Sequence, residues 1–299
     1  MSLTSFLKNK DAKDAFKQNF KKPRFKLQAK LLAPPLTNHY GLVGTAFDYL
    51  LRFYIKRLNP NAIEQRWVSE ASLCLLNIAK LPGLFEISNE NSIMQKLKEK
   101  ITEKPILYKK VAEIVQYAKN VYNSYINTGV MSRDIFKAVL LLAQVDVIYR
   151  AGIVDENLGN VDENDIKDLQ NSISIVKPEY FKAKKTCILN PTFGKASRLV
   201  GGADCDLIID DTIIDIKTTK KLELRRDYFD QLIGYYILYK IGDIKGMPSS
   251  CEIKRLGIYF SRHGYLHYID VQDIIKEDTF PAFVEWFKKR AGEEYGLHI

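Results

Sequence analysis

The segment 204–217 places three aspartates and one lysine at spacings that suit metal chemistry. Two runs of β-branched and aliphatic residues, 207–209 and 212–214, flank Asp210 and Asp211. Aspartate tolerates turn conformations, so the pattern predicts two short strands joined by a two-residue turn. Side chains that face each other across a hairpin, or that are two residues apart on one strand, lie on the same face. One face of the predicted hairpin therefore collects Asp204, Asp206, Asp215 and Lys217.

Pairing outward from the turn sets Asp206 opposite Asp215. The next pair on that face is Asp204 with Lys217. Like charges placed directly across a ladder destabilise it, so the arrangement indicates a bound divalent cation that offsets the repulsion. Mg²⁺ prefers hard oxygen ligands, which the carboxylates supply and to which the backbone carbonyl of Ile216 adds another. Lys217 at the rim of such a site is suited to hold an attacking water or to stabilise developing charge.

The chain resembles the PD-(D/E)XK nuclease superfamily, in particular its RecB-like branch, in the order of an aspartate, a hairpin and then Asp215-Ile216-Lys217. The pair Thr218-Thr219 and the later stretch 231–235 strengthen the resemblance, since Gln231 and Tyr235 are similar to the Gln-x-x-x-Tyr element of RecB-type nucleases. The similarity covers roughly residues 186 to 270.

The resemblance implies that the first aspartate and Asp215 bind Mg²⁺ or Mn²⁺ and that Lys217 assists hydrolysis. Two residues compete for the first position. Asp206 precedes the apolar run and faces Asp215, whereas Asp204 follows Gly201 at a Gly-x-x-Asp spacing, and we prefer Asp206. The alternative interpretation of the whole cluster is a charged, solvated hairpin face.

RecB-like nucleases also carry an acid or a histidine on a helix before the core, and Asp48 is a candidate for this additional metal ligand. His39 competes for the same role, and Asp48 is equally consistent with a polar residue on a packed helix. On the helix predicted after the hairpin, Gln231 and Tyr235 are one turn apart. Gln231 is expected to position a phosphate or the Lys217 amine, and Tyr235 to supply a hydroxyl or a stacking surface. A hydrogen-bonded interior glutamine is the alternative.

The charge of the chain favours a polyanionic partner, because 45 lysines and arginines stand against 36 acidic residues and give a net charge of +9. Part of the excess lies in an arm from residue 8 to 30, which either contacts phosphate or is a solvated amphipathic helix. The residues expected to bind nucleic acid near the site are Lys220, Lys221, Arg225 and Arg226.

The four cysteines are scattered, so the sequence predicts neither a zinc site nor a disulfide framework. The clustered cysteines of iron-sulfur members of the RecB-like branch are not found in this sequence either, which predicts that there is no iron-sulfur cluster. No run of 18 apolar residues and no signal-peptide pattern occurs. We therefore expect a cytoplasmic protein with no membrane partner.

Periodicity predicts an α/β protein with a mainly helical region at 1–180, including the basic arm, and a region with both strands and helices at 181–299. The resemblance implies that the helical region packs on a PD-(D/E)XK core with a mixed central sheet at 181–299. The predicted helices are 44–58, 62–80, 91–127, 131–151, 163–175, 226–241 and 278–291. The predicted strands are 186–190, 197–209, 212–217, 253–261 and 264–269.

Together these observations predict a Mg²⁺-dependent deoxyribonuclease, with end-directed exonuclease action in repair, recombination or defence as the expected role. DNA is the expected partner. Two alternatives stay open at this point: an RNA-directed nuclease, and a nucleic-acid-binding module that keeps the fold without catalysis.

Overall fold

The computed structural model describes residues 2–79 and 106–296. Within them the chain forms ten α-helices and one six-stranded mixed sheet, so the mixed α/β class expected from the sequence is confirmed. The helices are α1 (Leu3–Phe6), α2 (Lys10–Asn19), α3 (Tyr40–Leu58), α4 (Val68–Ala79), α5 (Leu107–Thr128), α6 (Arg133–Ala151), α7 (Glu163–Ser174), α8 (Lys195–Leu199), α9 (Arg226–Ile241) and α10 (Phe280–Tyr295). The strands are β1 (Ile63–Glu64), β2 (Cys187–Leu189), β3 (Leu207–Ile209), β4 (Thr212–Lys217), β5 (Arg255–Phe260) and β6 (Tyr265–Asp270).

The chain divides into two compact units that interleave along the sequence. The first unit consists of the described parts of Met1–Leu32, Leu58–Gln65 and Lys177–Ile299. The second consists of the described parts of Ala33–Arg57 and Arg66–Val176. This division differs from the predicted one at residue 180, because α1, α2 and β1 belong to the unit that holds the rest of the sheet.

The sheet lies in the first unit, and its six strands follow one another in chain order. β1 with β2 and β4 with β5 are parallel pairs, and the other neighbours are antiparallel. The parallel pair of β4 and β5 is connected through α9, as parallel neighbours require a crossover segment.

The predicted hairpin is confirmed at its turn and wrong at its open end. Ile209 faces Thr212 as predicted, and the ladder then continues only to Leu207, which faces Ile214. The predicted pairs Asp206 with Asp215 and Asp204 with Lys217 are not ladder pairs. The reason is that β3 is only three residues long and the chain before it turns toward residues 190–192.

The predicted strand 197–209 is wrong over most of its length. Its first residues form α8, and Gly201 and Gly202, with φ of 73° and 126°, separate this helix from β3. Such φ values suit glycine, which has no Cβ to clash. Ser197 fixes the connection, since its Oγ accepts from Phe193 N at 2.7 Å and donates to Ala203 O at 2.7 Å.

Two predicted helices need adjustment. The helix predicted at 62–80 begins only at Val68, because Ile63 and Glu64 form β1 and pair with β2. Of the helix predicted at 91–127, the part before Ile106 lies outside the described residues, and the remainder corresponds to α5. The other predicted helices and strands are present with shifts of a few residues at their ends.

The core of the first unit is closed by aromatic residues from α1, α2 and α10. Phe6 packs edge-on against Phe287 at 5.0 Å between ring centroids, and Phe16 and Phe20 pack against Phe283 at 5.3 and 4.7 Å. The phenylalanines of the predicted basic arm are therefore core residues. Fully burying one such ring stabilises the fold by about 1.5 to 3 kcal/mol, an upper value because the unfolded chain already buries part of its apolar surface.

The described residues of the second unit form helices joined by loops, and none of them lies in a strand. Helices α4, α5 and α6 share one apolar core, which includes Leu76, Val111 and Val145. No helix in the described parts of the chain is both long and apolar enough to span a membrane.

Candidate functional site

The site begins where β3 separates from β4. Before Leu207 the chain no longer pairs with β4: Cys205 N donates to the carbonyl of Pro191 at 3.1 Å, and Asp204 forms an isolated bridge with Thr192. The edge of β4 beyond Ile214 therefore loses its ladder neighbour on this side. The Asp206 side chain replaces the missing ladder bond, since its Oδ2 accepts from the backbone N–H of Ile216 at 2.6 Å.

The carbonyl of Ile216 points into the same gap. The N–H and C=O groups of one strand residue project from the same edge of the strand, as the exchange of both bonds in an antiparallel pair requires. Because the N–H of Ile216 points to Asp206, its carbonyl also faces the Asp206 side rather than β5. The predicted backbone ligand and the preferred first aspartate therefore lie at one gap in the sheet.

Asp215 and Lys217 form a close ion pair on β4. Lys217 Nζ lies 2.7 Å from Asp215 Oδ2, and the side chains are 19% and 3% exposed. Burial lowers the pKa of Lys217, but the charge and hydrogen bond of Asp215, together with the charge of Asp206, more than compensate and raise it above its usual value. Lys217 is therefore a protonated ammonium across the neutral pH range.

Helix α9 holds this ammonium from the other side. Lys217 Nζ donates to Gln231 Oε1 at 2.8 Å, and Gln231 Nε2 donates to the hydroxyl of Tyr235 at 2.7 Å. The ring of Tyr228 lies 4.9 Å from Lys217 Nζ in a cation–π arrangement. Of the two roles predicted for Gln231, the geometry matches the ordering of the lysine amine. The contact of Tyr228 was not predicted, although this residue lies on the same helical stripe.

Tyr235 is an interior residue. It is 5% exposed and stacks on Phe193, with 5.7 Å between the ring centroids and 20° between their planes. Its face is therefore closed to a nucleobase, and its hydroxyl serves Gln231. Burial raises the pKa of Tyr235 well above its usual value, and the charges of Asp215, Asp206 and Asp204 raise it further.

The three aspartates act together on their surroundings. Burial and the charges of Asp206, Asp204 and Asp215 also raise the pKa of the Cys205 thiol. Cys205 is fully buried beside these carboxylates, so its thiol stays neutral. Three carboxylates with one ammonium leave an excess of negative charge, which is the condition that favours a bound cation.

The donor set fits a hard divalent cation held by few protein ligands. Among the residues that the structure describes, no group of three or more His, Cys, Asp and Glu side chains is arranged to hold a metal ion. Mg²⁺ commonly uses one or two carboxylates and completes its shell with water and substrate oxygens. Asp206, Asp215 and the carbonyl of Ile216 meet that requirement, with Asp204 as the second candidate for the first aspartate.

The four predicted nucleic-acid-binding residues differ in their surroundings. Lys220 and Lys221 are exposed in the connection from β4 to α9. Arg225 pairs with Asp227 at the surface, with 2.6 Å between Nη2 and Oδ2. Arg226 has structural partners, because it contacts Asp230 and donates from Nη1 to the carbonyl of Phe20 at 2.9 Å. Arg226 is therefore the least available of the four for a phosphate contact.

The two earlier candidates, Asp48 and His39, lie in the second unit. Asp48 Oδ2 accepts from Arg52 Nη2 at 2.5 Å, one turn along α3. His39 Nδ1 lies 2.8 Å from Asp165 Oδ2, and the hydrogen bond and charge of Asp165 raise the pKa of His39. Both candidates therefore have side-chain partners within their own unit, and their proposed metal role remains a prediction.

A surface pocket of about 660 Å³ opens at the opposite end of the sheet, around the turn of the hairpin. Its acids have structural partners: Asp211 pairs with Arg255 at 2.8 Å, and Asp210 accepts from the backbone amides of residues 184–186. Burial raises the pKa of Asp210, but these amides outweigh it and lower the value overall. Because its acids are occupied in this way, we take the cluster around Asp215 as the candidate site.

No family model, no curated protein and no solved structure matches the chain.

Proposed function

We propose that the chain is a Mg²⁺- or Mn²⁺-dependent nuclease of the PD-(D/E)XK type that hydrolyses phosphodiester bonds in DNA. The observation that carries the proposal is the gap beside β4, where Asp206 accepts from the N–H of Ile216 and Asp215 pairs with the ammonium of Lys217. The sequence resemblance assigns the metal ligands and the lysine to these same residues.

In this proposal Asp206, Asp215 and the carbonyl of Ile216 hold the cation. When bound, a divalent cation lowers the pKa of a coordinated water and stabilises negative charge on a phosphoryl oxygen. Lys217 orients the attacking water and stabilises the charge that develops on the phosphate. It does so by donating hydrogen bonds, because its raised pKa keeps it protonated and unsuited to accept a proton.

Gln231 is proposed as the residue that positions Lys217. Its carbonyl oxygen accepts from the ammonium, while its amide group is fixed by the buried hydroxyl of Tyr235. A lysine side chain has several rotatable bonds, so two fixed partners reduce the geometries that it explores before reaction. The Gln-x-x-x-Tyr resemblance further supports end-directed exonuclease action, with a role in repair, recombination or defence. A cytoplasmic location stays a prediction.

The test is cleavage by the purified chain of linear duplex, closed circular and single-stranded DNA and of RNA, each with Mg²⁺, Mn²⁺ or a chelator. We expect metal-dependent cleavage of linear DNA in preference to closed circles. Asp215→Asn should lower the rate at least about a thousandfold, or ~4 kcal/mol in activation free energy. Asp211→Asn is the matched control, because it changes the same residue type in the same hairpin at the end remote from the site.

The outcomes separate the alternatives. Cleavage of RNA alone would give the site a different substrate, and nicking of closed circles at the rate of end digestion would indicate an endonuclease. Binding of DNA without cleavage under every metal condition would refute the nuclease and favour a binding module. Equal rates for Asp215→Asn and the parent chain would show that this site does not perform the reaction.

A further inference from the structure

The segment from residue 21 to 30, which we name the basic strap, is strongly basic and lies outside the helices and strands. It contains five lysines and arginines and no acidic residue. It follows α2 as an extended chain that belongs to no helix or strand. Pro23 favours this conformation, since proline lacks an N–H and disfavours helix at the residue before it.

Three contacts fix the start of the basic strap to the first unit. The carbonyl of Phe20 accepts from Arg226, and Lys22 Nζ donates to the carbonyl of Leu224 at 2.7 Å. The ring of Phe25 then packs against Phe260 with 5.8 Å between centroids. Beyond the strap, the N–H of Leu32 donates to the carbonyl of Arg262 at 3.0 Å. The strap is thus held at both ends.

These contacts place the basic strap beside the candidate site. Phe260 is the register partner of Lys217 in the parallel pair of β4 and β5. Side chains of register partners lie on the same face of a sheet, so Phe25 packs on the face that carries Lys217 and Asp215. The ring of Phe25 also lies 4.9 Å from the ring of His267 on β6. His267 is the register partner of Ile258 on β5, and Ile258 is the register partner of Asp215 on β4. The strap therefore lies on the face of the sheet that carries the site, over β5 and β6, and β5 is the strand next to β4.

The remaining charges of the basic strap point outward. Arg24 and Lys26 flank Phe25, whose ring packs against the sheet. Both are exposed, as is Lys30. Two extended residues span about 7 Å, so the two side chains form a short row of positive charge. Within the described residues, no carboxylate forms an ion pair with any of these three side chains.

The basic lysines of α2 differ from those of the basic strap. Lys10, Lys13 and Lys17 also lie in the predicted arm, but they alternate with Asp11 and Asp14 on a helix. The structure therefore separates the arm into a mixed-charge helix and an entirely basic extended segment.

We propose that the basic strap binds the sugar-phosphate backbone of a nucleic acid strand beside the candidate site, and so guides the strand past Asp215 and Lys217. The proposal deepens and rests on the proposed function. It assigns the phosphate contacts to Arg24, Lys26 and Lys30. Each neutralised phosphate releases counterions, so the contacts have a measurable effect on the salt dependence of binding.

The test measures the affinity of labelled single-stranded and duplex DNA from about 50 to 200 mM salt in the presence of a chelator, so that no turnover occurs. The strap variant is Arg24→Gln, Lys26→Gln and Lys30→Gln together. The matched control, Lys10→Gln, Lys13→Gln and Lys17→Gln, removes the same charge from α2. We expect the strap variant to reduce the slope of log affinity against log salt by about 2 to 3 units and the control by less than about one unit.

The proposal is overturned if the strap variant keeps the parent slope, if both variants lose the same amount, or if the parent chain does not bind DNA. Cleavage by the parent chain with Mg²⁺ is measured in parallel. Cleavage with an unchanged strap slope refutes the strap and leaves the proposed function standing. A strap-dependent slope without any cleavage supports the strap and refutes the nuclease.

Discussion

Breaking the ion pair between Lys217 and Asp215 should have unequal effects, depending on which partner is changed. Asp215 is 3% exposed, whereas Lys217 is 19% exposed and keeps Gln231 and Tyr228 as partners. Lys217→Met removes the ammonium that pairs with a buried carboxylate, and Asp215→Asn leaves an ammonium that still has an acceptor and an aromatic face. We therefore expect Lys217→Met to be the more destabilising change.

The expected magnitudes follow from that asymmetry. Leaving a buried charge without its partner costs about 3 to 5 kcal/mol in the free energy of unfolding. Loss of one charge-assisted hydrogen bond, with the remaining group still partnered, costs about 1.5 to 3 kcal/mol. The double variant, Asp215→Asn with Lys217→Met, should recover much of the loss of Lys217→Met, because it removes both charges.

The free energy of unfolding is to be measured by denaturant titration with a chelator. The chain has two tryptophans, and Trp286 lies in the first unit and Trp67 in the second. A Trp67→Phe background therefore makes fluorescence report on the unit that holds the site. Lys221→Met is the control, because this exposed lysine should cost no more than about 0.5 kcal/mol. A loss for Asp215→Asn equal to or larger than that for Lys217→Met would refute the electrostatic argument.

Two further predictions concern a positioning residue and a buried acid. Gln231→Ala should lower kcat about tenfold, or ~1.4 kcal/mol, with KM nearly unchanged, because it releases the Lys217 ammonium without removing a substrate contact; a change confined to KM would contradict this role. In the second unit, burial raises the pKa of Asp146 from 3.8 to about 6, so its stabilising contribution is present below pH ~4 and is lost as the pH rises through ~6. Asp146→Asn should therefore gain up to about 3 kcal/mol relative to the parent chain between those pH values, measured through Trp67 in a Trp286→Phe background, and a difference that does not vary with pH would refute it.

The hairpin shows which parts of the site follow from local sequence. The aliphatic runs and the Asp210-Asp211 turn correctly predict the inner pairs, because strand propensity and turn chemistry are local. The position of Asp206 does not follow from strand propensity and turn chemistry. Before Leu207 the backbone of Cys205 bonds to Pro191 instead of β4, and this choice depends on residues that lie more than a dozen positions away.

The same limit applies to the fold. β1 is only two residues long, and its identity as a strand depends on Ile188, so no pattern around Ile63 distinguishes it from a helix start. The arm of residues 8–30 has a charge pattern that is visible in the sequence, but its division into a core helix and an extended strap depends on packing against Phe283 and Phe260. The Lys217 to Gln231 contact was expected, because both residues belong to short, regular elements.

The interleaved first unit has a consequence for how the chain folds. Its early segments find their partners only in the last part of the sequence, since Ile63 pairs with Ile188 and Leu3 N donates to Gly202 O at 3.0 Å. Contacts between residues that are far apart in sequence close slowly, because the loop entropy must be lost first. During synthesis, helices α1 and α2, each with one buried phenylalanine, emerge long before α10, whose rings they contact. A fragment that starts at residue 181 would lack these helices and leave Phe283 and Phe287 uncovered, so we expect it to aggregate where the whole chain folds.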